Sequence, residues 1–117
     1  MSHLRSLLLL AVLVAAAALV AVAAGCGSAE SREPVATDEV TMPRSYRFDP
    51  KVIQVVAGTT VTWTNEDNFT HTVQVEGQED HKAARGDSVS ITFDTPGTFH
   101  YVCTLHRQDM EGEVVVE

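Results

Sequence analysis

The sequence predicts an all-β domain, an antiparallel sandwich or barrel of about eight short strands. Three observations carry that expectation. From residue 27 onward the chain holds 13 Val and 12 Thr but one Leu, Leu105, a composition that suits pleated sheet and offers a helical bundle little to pack. Short Val, Thr and aromatic runs alternate with breaks at Ala57-Gly58, residues 77–86 and Pro96-Gly97. Within the runs, apolar and polar residues alternate with a period of two. The chain has 117 residues, so one small domain is the largest structure it can hold, and multidomain enzymes and large barrels are excluded by size.

In chain order, Met1 to Arg5 forms a short positive start and residues 7–24 are eighteen consecutive apolar positions. This is the order of an export signal, and residues 1–25 are read as one. Ala23-Ala24-Gly25-Cys26 resembles the lipobox of bacterial lipoproteins, with Ala23 where Leu is usual and Val22 one step before it. The resemblance implies that Cys26 is lipidated and becomes the mature N-terminus. An uncleaved single-span anchor is the alternative, because eighteen apolar residues just reach spanning length. Residues 26–37 then read as the lipidated cysteine and a small, polar, flexible tether, and residues 38–117 as the domain.

Within the domain the expected strands are residues 39–42, 46–48, 52–56, 60–64, 71–76, 88–93, 98–103 and 113–116. Residues 77–87 are polar, with room for a short helical turn. Alternation puts Val61 and Trp63 on one face with Thr60, Thr62 and Thr64 opposite. It likewise groups His71 with Val73 and Val75, Val89 with Ile91 and Phe93, and Phe99 with Tyr101 and Cys103. His71 and Cys103 therefore fall on core faces at strand ends, where a core opens toward a loop.

Past the leader, 7 Lys plus Arg stand against 16 Asp plus Glu, a net charge of −9 on the body. Nucleic acid and anionic membrane surfaces are unsuited to such a body. The acidic surface is either plain solvation or a docking face for a basic partner. Cys26 and Cys103 are the two cysteines of the chain. With Cys26 lipidated, Cys103 has no disulfide partner within the chain, which leaves intermolecular pairing, a buried inert thiol or a metal-bound thiolate. A Cys26 to Cys103 disulfide would tie the core to the tether.

The last observation is chemical. Cys103, His106 and Met110 lie within eight residues on one loop, and His71 begins a strand 32 residues before Cys103. Each alone is ordinary: a boundary histidine, a small buried thiol, a gap-filling thioether. Together, thiolate and thioether with borderline imidazole suit copper, cycling between Cu(I) and Cu(II), better than Mg, Ca or Mn. Two His and one Cys around a metal with a weak axial Met describe a blue-copper electron-transfer site. No second ligand cluster offers a place for substrate turnover, so no enzyme activity is expected.

The body resembles the small cupredoxins, the type 1 blue copper proteins such as plastocyanin, amicyanin and pseudoazurin, over residues 38–117. The matching stretches are Phe48-Asp49-Pro50, Ile53-Gln54-Val55, Gly58-Thr59-Thr60-Val61-Thr62-Trp63-Thr64-Asn65 and Asp67-Asn68-Phe69-Thr70-His71-Thr72-Val73. They continue in Gly97-Thr98-Phe99-His100-Tyr101-Val102-Cys103-Thr104-Leu105-His106 and Met110-Glu111-Gly112-Glu113-Val114. The resemblance implies a Greek-key cupredoxin-like sandwich holding one copper per chain. His71, Cys103 and His106 would be its equatorial ligands and Met110 the axial one. It implies that the Thr72 N–H reaches the Cys103 sulfur and that Phe69 and Leu105 form an apolar collar. The three-residue spacer Arg107-Gln108-Asp109 is longer than the amicyanin-like form and shorter than the plastocyanin-like one. His81, in the polar loop, and His100, out of phase with Cys103, are expected not to be ligands.

The expected protein is thus a monomeric, lipid-anchored electron carrier on the extracytoplasmic face of a bacterial membrane. It would exchange single electrons with redox proteins as donor and acceptor, a basic partner among them. Two alternatives stand: a copper-delivery or storage lipoprotein, and a β-sandwich interaction module whose Cys and His are structural or bind Zn. Tetrahedral Cys/His zinc sites normally use no Met.

Overall fold

The computed structural model describes residues 33–117, so the leader and Cys26 lie outside the described residues. The described chain forms β1 (Val35–Ala36), β2 (Glu39–Met42), β3 (Val52–Val55), β4 (Thr59–Asn65) and β5 (His71–Val75). It continues with β6 (Asp80–Ala83), β7 (Ser88–Phe93), β8 (Gly97–Val102) and β9 (Glu111–Val116). They make a six-stranded sheet in the order β1-β3-β9-β8-β5-β6 and a three-stranded sheet in the order β2-β4-β7. The all-β, two-sheet architecture is the expected one. Its pairing is mixed rather than purely antiparallel: β1 with β3, β2 with β4 and β3 with β9 run parallel, the other pairs antiparallel. Parallel neighbours arise here because the chain leaves one sheet, crosses the sandwich and returns beside an earlier strand.

The alternation read from the sequence decides the inside. Val40, Met42, Val61, Trp63, Val89 and Phe93 of the smaller sheet face Ile53, Val55, Val73, Val75, Tyr101, Val114 and Val116 of the larger one in a single buried cluster. Trp63 and Tyr101 meet edge to face at 5.2 Å, and Phe48 meets Tyr101 at 4.8 Å. On the outer face of β4 and β7 the threonines pair with their cross-strand partners through hydroxyls. Thr60 meets Thr92 at 2.7 Å, Thr62 meets Ser90 at 3.1 Å and Thr64 meets Ser88 at 2.9 Å. Such pairs each add a fraction of a kcal/mol and keep that face polar.

Three local expectations are corrected. Residues 46–48 are not a strand: Ser45 and Tyr46 take left-handed backbone, φ 84° and 52°, in a turn, and the nearby pairing is a single bridge between Thr41 and Asp49. Phe48 is nonetheless buried, so the aromatic spacing there reflects packing rather than pairing. Residues 77–86, read as a break between strands, contain the edge strand β6, joined to β5 through a tight turn at Gly77, φ 77°. Its sequence, Asp-His-Lys-Ala, is polar because an edge strand presents most of itself to water. Finally, Val35 and Ala36, read as tether, pair with Ile53 and Gln54 of β3.

Candidate metal centre

The site sits at one end of the sandwich, where β5 begins and β8 ends. These strands are antiparallel neighbours, with Gln74 opposite Val102 and Val75 opposite Tyr101. Continuing that register two residues sets Thr72 against Thr104 and Val73 against Cys103, so that His71, two residues along the same face, comes near the cysteine. Beyond Cys103 the chain turns back on itself: the His106 N–H donates to the Cys103 carbonyl at 3.2 Å, and the Asp109 and Met110 N–H groups donate to the His106 carbonyl at 3.0 Å. The Cys103 N–H donates to the Met110 carbonyl at 3.0 Å, closing the loop where β9 starts. The loop is thereby held by its own backbone, with Cys103 and Met110 facing each other at its neck.

One ligand atom from each of His71, Cys103 and His106 lies within 4.8 Å of the others. His71, Cys103 and Met110 are buried and His106 is half-buried. Among the described residues Cys103 is a free cysteine. His71 Nε2 lies 2.9 Å from Asp67 Oδ2, and its Nδ1 lies 3.9 Å from Cys103 Sγ. The Asp67 carboxyl is held below the usual carboxylate range, first by its hydrogen bond to His71 and against the opposing effect of burial. The Asn68 N–H and the charges of His71 and Arg44 add to the lowering. A carboxylate accepting at Nε2 makes that nitrogen the N–H donor and turns the Nδ1 lone pair toward the sulfur, the orientation a metal ligand requires.

Asp67 is held in turn. Buried Asn65 donates from Nδ2 to the carbonyls of Phe69 and Ala83 at 2.8 and 2.9 Å, and its Oδ1 accepts the Asp67 N–H at 2.8 Å. The sulfur of Cys103 accepts the Thr72 N–H at 3.3 Å, as the resemblance implied. Phe69 and Leu105 are 57% and 55% exposed, so they do not seal a cover over the half-buried His106. His81 and His100 stand outside the cluster; His100 instead lies 3.4 Å from Glu113 on the surface.

Sequence reasoning missed Asp67, Asn65 and Tyr46. The Tyr46 ring lies 4.6 Å from that of His106, edge-on, and stacks on Phe69 at 5.8 Å. A signal for Asp67 was present, an acid four residues before a strand-end histidine, but it does not distinguish a buried partner from a surface charge. Tyr46 carried none, since its place depends on the left-handed turn at Ser45 and Tyr46.

A family model described as a cupredoxin-like domain matches residues 10–116. The chain is 35% identical to amicyanin-alpha of Methylorubrum extorquens, across 97% of this chain and 99% of that protein. It is 33% identical to plastocyanin of Scenedesmus fuscus, across 60% of this chain and 86% of that one. Among solved structures, a copper-containing nitrite reductase from Thermus scotoductus aligns with a TM-score of 0.59 and 33% identity, over 73% of this chain but 23% of the reductase.

Proposed function

The chain belongs to the cupredoxin-like family, and from that premise we propose that it is an electron carrier whose copper is held by His71, Cys103 and His106, with Met110 on the axial side. The cofactor is one copper ion per chain. The observation that carries the residue assignment is the convergence within 4.8 Å of one thiol and two imidazoles. The donor set fits the metal: a soft sulfur and two borderline nitrogens, with His71 fixed at the start of β5 and Cys103 and His106 on a loop held by its own backbone bonds. Bound there, copper supplies a one-electron couple between Cu(I) and Cu(II).

The protein's own residues do the rest. Asp67 orients His71, and the Thr72 N–H draws electron density from the Cys103 sulfur. The loop closed by its own backbone bonds would hold Cys103 and His106 in place with either oxidation state bound, and so would limit the rearrangement an electron transfer demands. The Tyr46 ring, edge-on to His106 at 4.6 Å, limits water beside the one ligand that approaches the surface. The test is the visible and EPR spectrum of the copper-loaded domain with its voltammetry. An intense thiolate-to-Cu(II) band and a reversible wave are expected; colourless copper without a wave would favour delivery or storage.

Met110 supports the axial assignment by its burial and by backbone bonds to both Cys103 and His106. A thioether at long range adds little binding energy and withholds hard donor density from Cu(II). Met110→Gln is expected to keep copper and lower the reduction potential, because the amide oxygen suits Cu(II). An unchanged potential by voltammetry removes Met110 from the ligand set.

The proposal extends to place and partners. The protein acts outside the cytoplasm, tethered by lipid on Cys26, as a monomer exchanging electrons with redox proteins. Cys26→Ser is expected to release the protein from the membrane or trap its precursor, read by fractionation and lipid labelling. Unchanged membrane retention without lipid would instead favour an uncleaved anchor. With a body at −9, electron exchange with a basic partner is expected to slow severalfold between low and physiological salt, as the Debye length falls toward about 8 Å. Rates independent of ionic strength would leave the charge as a solubility feature.

A further inference from the structure

Beside the sulfur lies a polar chain that the electron-carrier assignment does not use. Thr104 Oγ1 donates to Asp80 Oδ2 at 2.6 Å, and Thr104 Oγ1 and Thr72 Oγ1 are 2.8 Å apart. Thr72 Oγ1 also accepts the Thr104 N–H at 2.7 Å, and it lies 3.8 Å from Cys103 Sγ. The four side chains come from three places: Asp80 opens the edge strand β6, Thr72 is in β5, and Cys103 and Thr104 follow β8. Sheet register brings them into line, since β6 pairs with β5 and β5 with β8.

Counting protons gives the chain a direction. Each hydroxyl has one hydrogen to donate. The Thr104 hydrogen is committed to the Asp80 carboxylate, so Thr72 must be the donor in the hydroxyl pair. Its hydrogen therefore points at Thr104 and away from the sulfur. The sulfur is left with the Thr72 N–H as its close donor, at 3.3 Å. Without an acceptor at position 80, the Thr104 hydrogen is free to turn to Thr72 Oγ1, and the Thr72 hydrogen to turn to Sγ. A second donor on the sulfur would reduce the electron density it offers Cu(II).

We propose that Asp80 is a positioning residue for the metal centre: acting through Thr104 and Thr72, it sets how many hydrogen bonds the Cys103 sulfur receives, and so lowers the reduction potential. The inference rests on copper being held at Cys103. Asp80 is exposed and touches none of the proposed ligands, so replacing it leaves the core packing intact.

The experiment is a double-mutant cycle of Asp80→Ala and Thr104→Val in the copper-loaded protein, with potential and charge-transfer energy as readouts. Asp80→Ala is expected to raise the ratio of Cu(I) to Cu(II) affinity by roughly three- to tenfold, the weight of one ordinary hydrogen bond, and to shift the visible band to higher energy. Thr104→Val, which also frees the Thr72 hydrogen, is expected to do the same, and adding Asp80→Ala to it to do nothing more. A charge acting through space predicts instead that Asp80→Ala shifts the potential equally in both backgrounds. That result, or no shift at all, overturns the proposal.

A second readout needs no metal. In the copper-free protein the Thr104 hydroxyl proton should give a downfield NMR resonance that vanishes in Asp80→Ala. A resonance unchanged by that substitution overturns the relay. A parent protein that takes up copper without a thiolate band would sink the assignment of Cys103 itself, and the tuning with it. A coloured parent with an additive cycle sinks the relay alone.

Discussion

Cys103→Ser is expected to remove the visible thiolate-to-Cu(II) band entirely, because Cys103 is the one cysteine in the clustered donor set. Serine keeps nearly the same shape but offers a hard, weakly ionising hydroxyl where the site offers a soft thiolate. Copper affinity should fall by at least about a hundredfold, since losing one strong ligand costs more than the 10–100-fold loss typical of disturbing a ligand's outer partner. The fold should survive. The loop is closed by backbone bonds between Cys103, His106 and Met110, and the Thr72 N–H can still donate to the serine oxygen. A Ser variant that kept the colour would show that the sulfur lies elsewhere. A variant that lost both colour and fold would be separated from this outcome by circular dichroism of the metal-free form.

Gly112→Ala is expected to be the most destabilising single methyl that can be added to the sandwich. Gly112 lies in β9 opposite Tyr101 of β8. A Cβ built there would stand 2.6 Å from the Lys51 carbonyl oxygen and closer still to the Tyr101 ring and hydroxyl. Neither can yield easily. Lys51 O is backbone and accepts the Glu113 N–H at 3.0 Å, while Tyr101 is wedged edge-on against both Trp63 and Phe48. Overpacking of this kind costs about 3 kcal/mol, at the upper end of the usual range. For a domain of this size that corresponds to a fall in Tm of roughly 10–20 °C. Thermal unfolding of the metal-free variant beside the parent measures it, and a Tm within about 3 °C of the parent would show that β8 and β9 can part without cost. Because Tyr101 stands two residues before Cys103, the copper-loaded variant should also have a weaker visible band.

Legibility followed the range of the interaction. The faces of β4, β5, β7 and β8 were readable because alternation is local and the inward positions Val61, Trp63, His71, Val73, Val75, Val89, Phe93 and Tyr101 are all buried. The loop from Cys103 to Met110 was readable because its donors are contiguous in the chain. Residues 46–48 misled because alternating aromatics mark a buried ring as readily as a strand, and Phe48 is buried without being paired. Asp80–Ala83 was opaque because an edge strand needs few apolar residues, and Asp-His-Lys-Ala shows no apolar alternation, although it pairs with β5 from Gln74 opposite Asp80 to His71 opposite Ala83.

By itself, then, the sequence determined the β class, the inward faces of the main strands and the kinds of donor available, because these depend on residue type and on spacing along a few neighbours. Tertiary structure alone decided what surrounds those donors. That Asp67 takes Nε2 of His71 and leaves Nδ1 toward the sulfur, that Tyr46 lies against His106, and that the Thr72 hydroxyl lies 2.8 Å from that of Thr104 all depend on which distant segments lie side by side. A side chain's chemistry is written in the chain, but its hydrogen-bond partners are supplied by whatever the sheet register places within 3 Å or so, and hydrogen bonds reach no further.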